Sequence, residues 1–430
     1  MDLEALQFLK SEQAQRFLEE HLESNPEEVA RRYKGKNPFL PALATQIRCL
    51  QKAKAKLPTY HASRCLLEPL ALEQASGEKA AEMKATGYSG ERFLELGGGL
   101  GVDSLYFAKN FLQNWVVERN NLLVEMGEYN FNKLQKFLKG EVHWWKGEAR
   151  DFLQLSKGNF DLVYVDPLRR GKEGRKHIHL ANCQPNVLDL LPSLWRITQV
   201  ILVKASPMLD LEWAQRKFQG SLRRICVQSV ERECKEVLLE LSPKKESQTT
   251  VECRFFRNGQ IHRYTPLSSP KTIEKWADLK KGWPPSFYAY EADVALYKAK
   301  LAKQFLQEKY PHLEGGWTEG PGLFLSPQWE KNFLGRIFEI KEVYPFSPKR
   351  LRKQWKGRQF QIWKRYFGIP HLKSSLGVRE GGKEHLLFVS TKGKRWVLLA
   401  KEITKKAPSN IAEGKTLGAK DGGPGDANLW

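Results

Sequence analysis

Two short stretches hold residue types from which chemistry can be built. The first, F-L-E-L-G-G-G-L-G-V-D-S, runs from Phe93 to Ser104. It ends an apolar strand in a carboxylate, Glu95, and sets glycines at alternate positions, Gly97, Gly99 and Gly101. A helical pattern then opens at Val102, with Asp103 in its first turn. Glycines in that rhythm let the backbone turn tightly and approach a ligand with no Cβ in the way. The helix start behind them offers unpaired N–H groups. The second stretch, V-D-P-L-R-R, sets Asp166, Pro167, Arg169 and Arg170 directly after the apolar run Phe160–Val165. An Asp followed by Pro supplies a carboxylate and a carbonyl held by a rigid ring, suited to accept hydrogen bonds from a nucleophile or to position its base. The two arginines could grip phosphate or stack on a base.

The elements around these stretches say what they position. From Phe93 to Leu241 the pattern alternates strand and helix, which predicts a doubly wound, largely parallel sheet of seven strands. Strands are expected at Phe93–Leu96, Trp115–Glu118, Val142–Trp145, Phe160–Val165, Val200–Val203, Ile225–Val230 and Glu236–Leu241. The short E-R-E-C turn makes the last pair antiparallel. Ligands of such sheets lie beyond the carboxyl ends of the strands. Those ends carry Glu95, Glu118, the Gly147-Glu148-Ala149 segment, Asp166 and Lys204. A dinucleotide fold wants G-x-G-x-x-G with its acid only after the second strand. Here the acid precedes the glycines, the order used by class I methyltransferases. Carboxylates suit the sulfonium and ribose hydroxyls of S-adenosylmethionine and would repel a pyrophosphate. Position assigns Glu118 to the ribose diol, Glu148 or the Ala149 backbone to the adenine, and Glu95 to the glycine turn and the methionine end. Gln74, in L-E-Q-A-S-G-E-K ahead of the turn, either caps a helix or lies as a lid over the cofactor.

Composition narrows the partners. The chain has 430 residues, a formal charge of +21 and a pI near 9.6, which points to a polyanion. No apolar run approaches the ~20 residues needed to span a membrane, and the acidic start M-D-L-E lacks a signal-peptide pattern. A cytoplasmic protein is expected. Six scattered cysteines without a C-x-x-C pair argue against a metal site or a disulfide framework. Two basic stretches stand out. Arg31–Lys56 holds eight Lys/Arg and no acid. Lys349–Arg365 holds Lys349, Arg350, Arg352, Lys353, Lys356, Arg358, Lys364 and Arg365, again with no acid, interleaved with Trp355, Phe360 and Trp363. Cations among aromatics fit RNA, where phosphates meet charge and unstacked bases meet rings; the bland alternative is a solvated face over an aromatic core. N6-adenine and N4-cytosine chemistry is disfavoured because Leu168 and Arg169 follow Asp166-Pro167, and covalent C5-pyrimidine chemistry because K-A-S-P (Lys204–Pro207) holds no Cys.

The motifs together resemble class I methyltransferases that carry ferredoxin-like and THUMP-like domains at the C-terminus. The matching stretches are A-T-Q-I-R-C-L-Q-K-A-K-A-K-L-P-T, L-E-Q-A-S-G-E-K-A-A-E-M-K-A, L-G-G-G-L-G-V-D-S, V-D-P-L-R-R, V-K-A-S-P-M-L-D, E-C-K-E-V-L-L-E-L and Y-A-Y-E-A-D-V-A-L-Y-K-A. The resemblance implies S-adenosylmethionine binding by Glu95, Gly97, Gly99, Gly101 and Asp103. It also implies an active-site turn at Asp166, Pro167, Arg169 and Arg170 with Lys204, Ser206 and Pro207 beside it, and RNA (tRNA or rRNA) as the methyl acceptor. Lys204 is grouped with the RNA-contacting cations. The expected division is a helical region at 1–88, the methyltransferase domain at 89–270, a ferredoxin-like domain at 271–344, a THUMP-like domain at 345–402 and a disordered tail. The alternatives are a catalytically silent RNA-binding remnant and a DNA methyltransferase.

Overall fold

The computed structural model describes residues 1–168, 180–244, 247–267, 275–279, 287–320, 322–364 and 371–403. Arg169, Arg170, Arg365 and the tail beyond residue 403 lie outside the described residues.

Seven helices open the chain: α1 (Leu3–Lys10), α2 (Glu12–His21), α3 (Pro26–Arg32), α4 (Leu40–Lys56), α5 (Pro58–Ala62), α6 (Pro69–Gln74) and α7 (Glu78–Ala85). Local chemistry sets several starts. Asp2, Ser11 and Asn25 accept hydrogen bonds from the first-turn amides of α1, α2 and α3, and proline occupies the first position of α3 and α6. Leu6, Leu18, Ile47, Leu50 and Tyr60 are buried in one cluster with Leu105, Phe107 and Phe131 of the following domain. Polar clamps fix the seam. Asn130 exchanges both of its amide hydrogen bonds with the Leu66 backbone (2.7 and 2.8 Å), and the Tyr60 hydroxyl donates to the Leu100 carbonyl at 3.0 Å.

The central sheet takes β1 (Gly90–Leu96), β2 (Phe111–Glu118), β3 (Glu141–Lys146), β4 (Leu162–Val165), β5 (Ile201–Ala205), β6 (Leu222–Val230), β7 (Glu233–Leu241), β8 (Thr250–Arg257) and β9 (Gln260–Tyr264) in the order β3-β2-β1-β4-β5-β7-β6-β8-β9. The first five strands are parallel and β7 is antiparallel to both neighbours. Helices α8 (Val102–Phe107), α9 (Asn121–Leu134), α10 (Ala149–Leu155), α11 (Val187–Leu194) and α12 (Leu211–Lys217) make the crossovers. All four residues of β4 are buried, as a strand covered on both faces requires. The sheet has nine strands where the sequence predicted seven. β8 and β9 form a hairpin turning at Asn258–Gly259, and β8 also pairs in parallel with β6. Both turn residues have positive φ (51° and 79°), as a two-residue hairpin turn needs.

A second sheet, ordered β11-β12-β10-β13-β16-β15-β14, is built from β10 (Phe287–Ala292), β11 (Gly316–Trp317), β12 (Phe324–Ser326), β13 (Gly335–Pro345), β14 (Gln359–Trp363), β15 (Arg379–Thr391) and β16 (Lys394–Glu402). Its helices are α13 (Val294–Lys298), α14 (Ala302–Lys309), α15 (Pro348–Trp355) and α16 (Leu372–Leu376). The two small domains expected at 271–344 and 345–402 thus share one sheet, because β13 pairs with β10 on one side and β16 on the other. Lys300, at φ +60°, separates α13 from α14. Among the described residues, no helix is long and apolar enough to cross a membrane.

Candidate active site

The strand order reverses at β1 and β4, and a cleft of ≈ 630 Å³ opens beyond their carboxyl ends. It gathers Gln74, Glu95, Gly97, Gly99, Asp103, Glu118, Glu148, Ala149, Asp166, Pro167 and Lys204 from positions far apart in the chain. Gly101 is absent from its wall. At φ +75° it starts α8, and a Cβ there would meet Phe131 and Trp144 within about 3 Å, so it serves packing beneath the turn. Gly97 has φ +96°, and a Cβ would fall 2.5 Å from the Asp166 carbonyl oxygen. Gly99 has φ +54° and only open space where its Cβ would be, which leaves the cleft clear for a ligand.

Glu118 ends β2 and accepts from the Gly99 amide (3.0 Å) and the Asn120 amide (2.9 Å), one on each oxygen. Its charge therefore ties the glycine turn to the second strand. Glu148 stands at the rim, about 60% exposed, 3.7 Å from Arg119. Gln74 closes α6 and lines the cleft, while Gly77 starts α7, so Gln74 does not begin the helix that follows. Lys56 donates to the Leu72 and Glu73 carbonyls at 2.7 and 2.9 Å, tying α6 to α4.

Beneath the cleft lies a buried polar cluster drawn from five elements. Lys84 of α7 is fully buried; its Nζ lies 2.8 Å from Asp103 Oδ2 and 3.2 Å from Glu236 Oε2, and donates to the Tyr164 hydroxyl at 2.9 Å. Tyr164 of β4 donates in turn to Asp103 Oδ2 at 2.8 Å, and Ser76 Oγ donates to the same oxygen at 3.0 Å. Lys204 of β5 donates to Asp166 Oδ2 at 2.7 Å and to Ser76 Oγ at 2.9 Å. Asp103 Oδ1 is buried with no hydrogen-bond partner among the described residues.

Electrostatics follow from this packing. Burial pushes the Glu95 carboxyl well above the carboxylate range, with the Asp103 charge adding to it, although Ser104 donates a hydrogen bond to Glu95. Burial would raise Asp103 too, but the ammonium groups of Lys84 and Lys204 override it and hold that carboxyl well below the usual range. Burial would lower Lys204; Asp166 and Asp103 override it and keep the ammonium charged. Lys204 is thus corrected from the RNA-contacting set. It is 5% exposed and neutralised by carboxylates on the cleft floor, with no charge left for a phosphate. Ser206 lines the cleft beside it.

Three apolar side chains of the cleft stand exposed. Leu70, Leu168 and Met208 are 51%, 42% and 69% exposed and all line it. Gln184 and Arg119 form the opposite rim, with Arg119 donating to the Gln184 side chain at 3.2 Å. Sequence reading missed Lys84, Tyr164, Glu236, Gln184 and Met208. A lysine in the Ala-rich stretch of α7 and one hydroxyl inside the apolar β4 were the only signals.

The C-terminal basic stretch divides. Trp355 (0%), Phe360 (0%) and Trp363 (8%) are buried, so the expectation that bases stack on them is corrected: they form core with Leu351, Leu376 and Leu387. Lys349, Arg350, Arg352, Lys353, Lys356, Arg358 and Lys364 are exposed. Arg358 pairs with Glu384 at 2.8 Å, and Arg352 donates to the Ser374 carbonyl at 2.7 Å.

Comparison with known proteins agrees with this architecture. Residues 335–402 match the family described as THUMP domain-like. A crystal structure from Porphyromonas gingivalis W83, named a "putative methyltransferase", is 24% identical over 94% of this chain and 100% of its own, with a TM-score of 0.70. TrmK of M. capricolum, solved with S-adenosyl-homocysteine, is 12% identical over 40% of this chain and 69% of its own, at a TM-score of 0.30. No curated protein matches the chain. The chain therefore has the class I methyltransferase fold, with a THUMP-like module at its C-terminal end.

Proposed function

We propose that this protein is an S-adenosylmethionine-dependent methyltransferase acting on RNA. The observation that carries the reading is Asp103, a side chain in the wall of the cleft whose buried Oδ1 has no partner among the described residues. Around it, the ammonium groups of Lys84 and Lys204 face the carboxyl groups of Asp103, Asp166 and Glu236, and burial raises the last of these toward its neutral form. Such a site fits a ligand bearing a cationic amino-acid end. Glu118 would hold the ribose diol, Gly97 and Gly99 would leave room for the backbone approach, and Ala149 would flank the adenine. Bound there, S-adenosylmethionine supplies an electrophilic methyl group.

Asp166 is fixed by the hydrogen bond its backbone N–H donates to the Leu96 carbonyl (3.0 Å) and by the one its side chain accepts from Lys204. Its second oxygen has no hydrogen-bond partner among the described residues and can accept one from an acceptor N–H or O–H, orienting the lone pair that attacks. Pro167 holds the turn. The exposed Leu70, Leu168 and Met208 suit a flat, weakly polar acceptor such as an unstacked base. RNA is favoured because the net charge is +21 and the cations of α15 and its neighbours face outward on the THUMP-like module. The 93–241 region would do chemistry while the N-terminal helices and the second sheet hold substrate.

Calorimetric titration with S-adenosylmethionine tests the cofactor assignment. Wild type should bind, and Glu118→Ala should bind at least about tenfold more weakly, as expected for losing a charged acceptor. A folded wild-type protein that gives no binding would leave a remnant fold without the cofactor.

A further inference from the structure

We infer that Lys84, acting through Ser76 and Tyr164, is the positioning residue for the amino-acid end of the cofactor, so that the N-terminal helical region completes the binding site. The inference rests on the cofactor reading above and names how that site selects its ligand.

Asp103 lies in the first turn of a six-residue helix, and nothing in that helix fixes its side chain. The fixing groups come from elsewhere. Tyr164 and Ser76 each place a hydrogen on Oδ2, and the Lys84 and Lys204 ammonium groups lie 2.8 and 3.6 Å from it. All of the described partners crowd one oxygen, while Oδ1 stays buried without a partner among the described residues, in a side chain that lines the cleft. Ser76 is doubly engaged, accepting from both lysines while donating to Asp103. Lys84 is anchored from behind by Glu236 of β7, so it cannot follow Asp103 if that side chain swings. Two of these groups, Ser76 and Lys84, precede β1. Residues outside the sheet thus decide where a sheet-borne carboxylate points. Removing Lys84 would leave Asp103 buried beside fewer cations and free to turn, and the loss would fall on ligands that present an ammonium group to Oδ1.

Two ligands separate this from general support of the fold. S-adenosylhomocysteine carries the amino-acid end; 5′-methylthioadenosine carries the same adenosine and thioether without it. Binding of both to wild type, Lys84→Met and Tyr164→Phe should be measured by calorimetry. Wild type should prefer S-adenosylhomocysteine. Lys84→Met should weaken S-adenosylhomocysteine by about tenfold or more while 5′-methylthioadenosine changes by less than about threefold, in line with a lost charge-assisted contact. Tyr164→Phe should show the same selectivity to a smaller degree, and it decides the matter if Lys84→Met does not fold. Parallel loss of both ligands, or no loss of either, would overturn the inference. A wild type that binds both equally would overturn it while leaving the cofactor reading standing; a wild type that binds neither would remove both.

Discussion

At the scale of residues, two glycines two positions apart do different work. Gly97 has left-handed backbone and no space for a side chain, since the Asp166 carbonyl lies where a Cβ would go. Gly99 shares the positive φ but faces open cleft. Gly99→Ala should therefore lower stability by about 1–2 kcal/mol, the left-handed cost for an L-residue, and weaken cofactor binding because its methyl enters the ligand's space. Gly97→Ala should lose more than Gly99→Ala, because β1 and β4 must separate at the site itself. Urea unfolding of both variants gives the comparison, and equal losses would contradict it. The glycines and acids at strand ends were legible in sequence because their types are constrained one by one. Lys84 was not, since burial of a lysine depends on partners brought from α8, β4 and β7, and no local pattern announces such partners.

At the scale of elements, α15 has two faces with opposite duties. Its sequence P-K-R-L-R-K-Q-W puts Leu351 and Trp355 into a core with Phe360 and Leu376, and turns Lys349, Arg350 and Lys353 to solvent. The sequence showed cations and aromatics interleaved, which fits either a stacking surface or an amphipathic helix. Spacing of four between Leu351 and Trp355 marks one helical face, and burial settles the aromatics as core. Trp355→Ala should cost about 3–5 kcal/mol. Replacing Lys349, Arg350, Lys353 and Lys356 together by Gln should leave stability within about 0.5 kcal/mol and reduce the salt dependence of RNA binding by about three in slope. An unchanged slope would remove this face from the RNA contact.

At the scale of the whole molecule, the chain is organised so that one cleft draws on distant parts. The N-terminal helices contribute Gln74, Ser76 and Lys84, the parallel strands contribute Glu95, Glu118, Asp166 and Lys204, and the second sheet carries the outward cations of the THUMP-like module. Strand–helix alternation made the parallel strands of the central sheet and its antiparallel last pair legible. The pairing of β8 with β6 and the fusion of two expected domains into one sheet were not legible, because edge pairing between distant strands leaves no periodic trace. The reading of the protein as an RNA methyltransferase is tested most directly by transfer of labelled methyl from S-adenosylmethionine to total RNA from cells lacking it, with wild type and Asp166→Asn side by side. The expected result is label in a tRNA or rRNA band, reduced by about 100-fold or more in Asp166→Asn while cofactor affinity holds. Cofactor binding without label in RNA, or full turnover by Asp166→Asn, would contradict it.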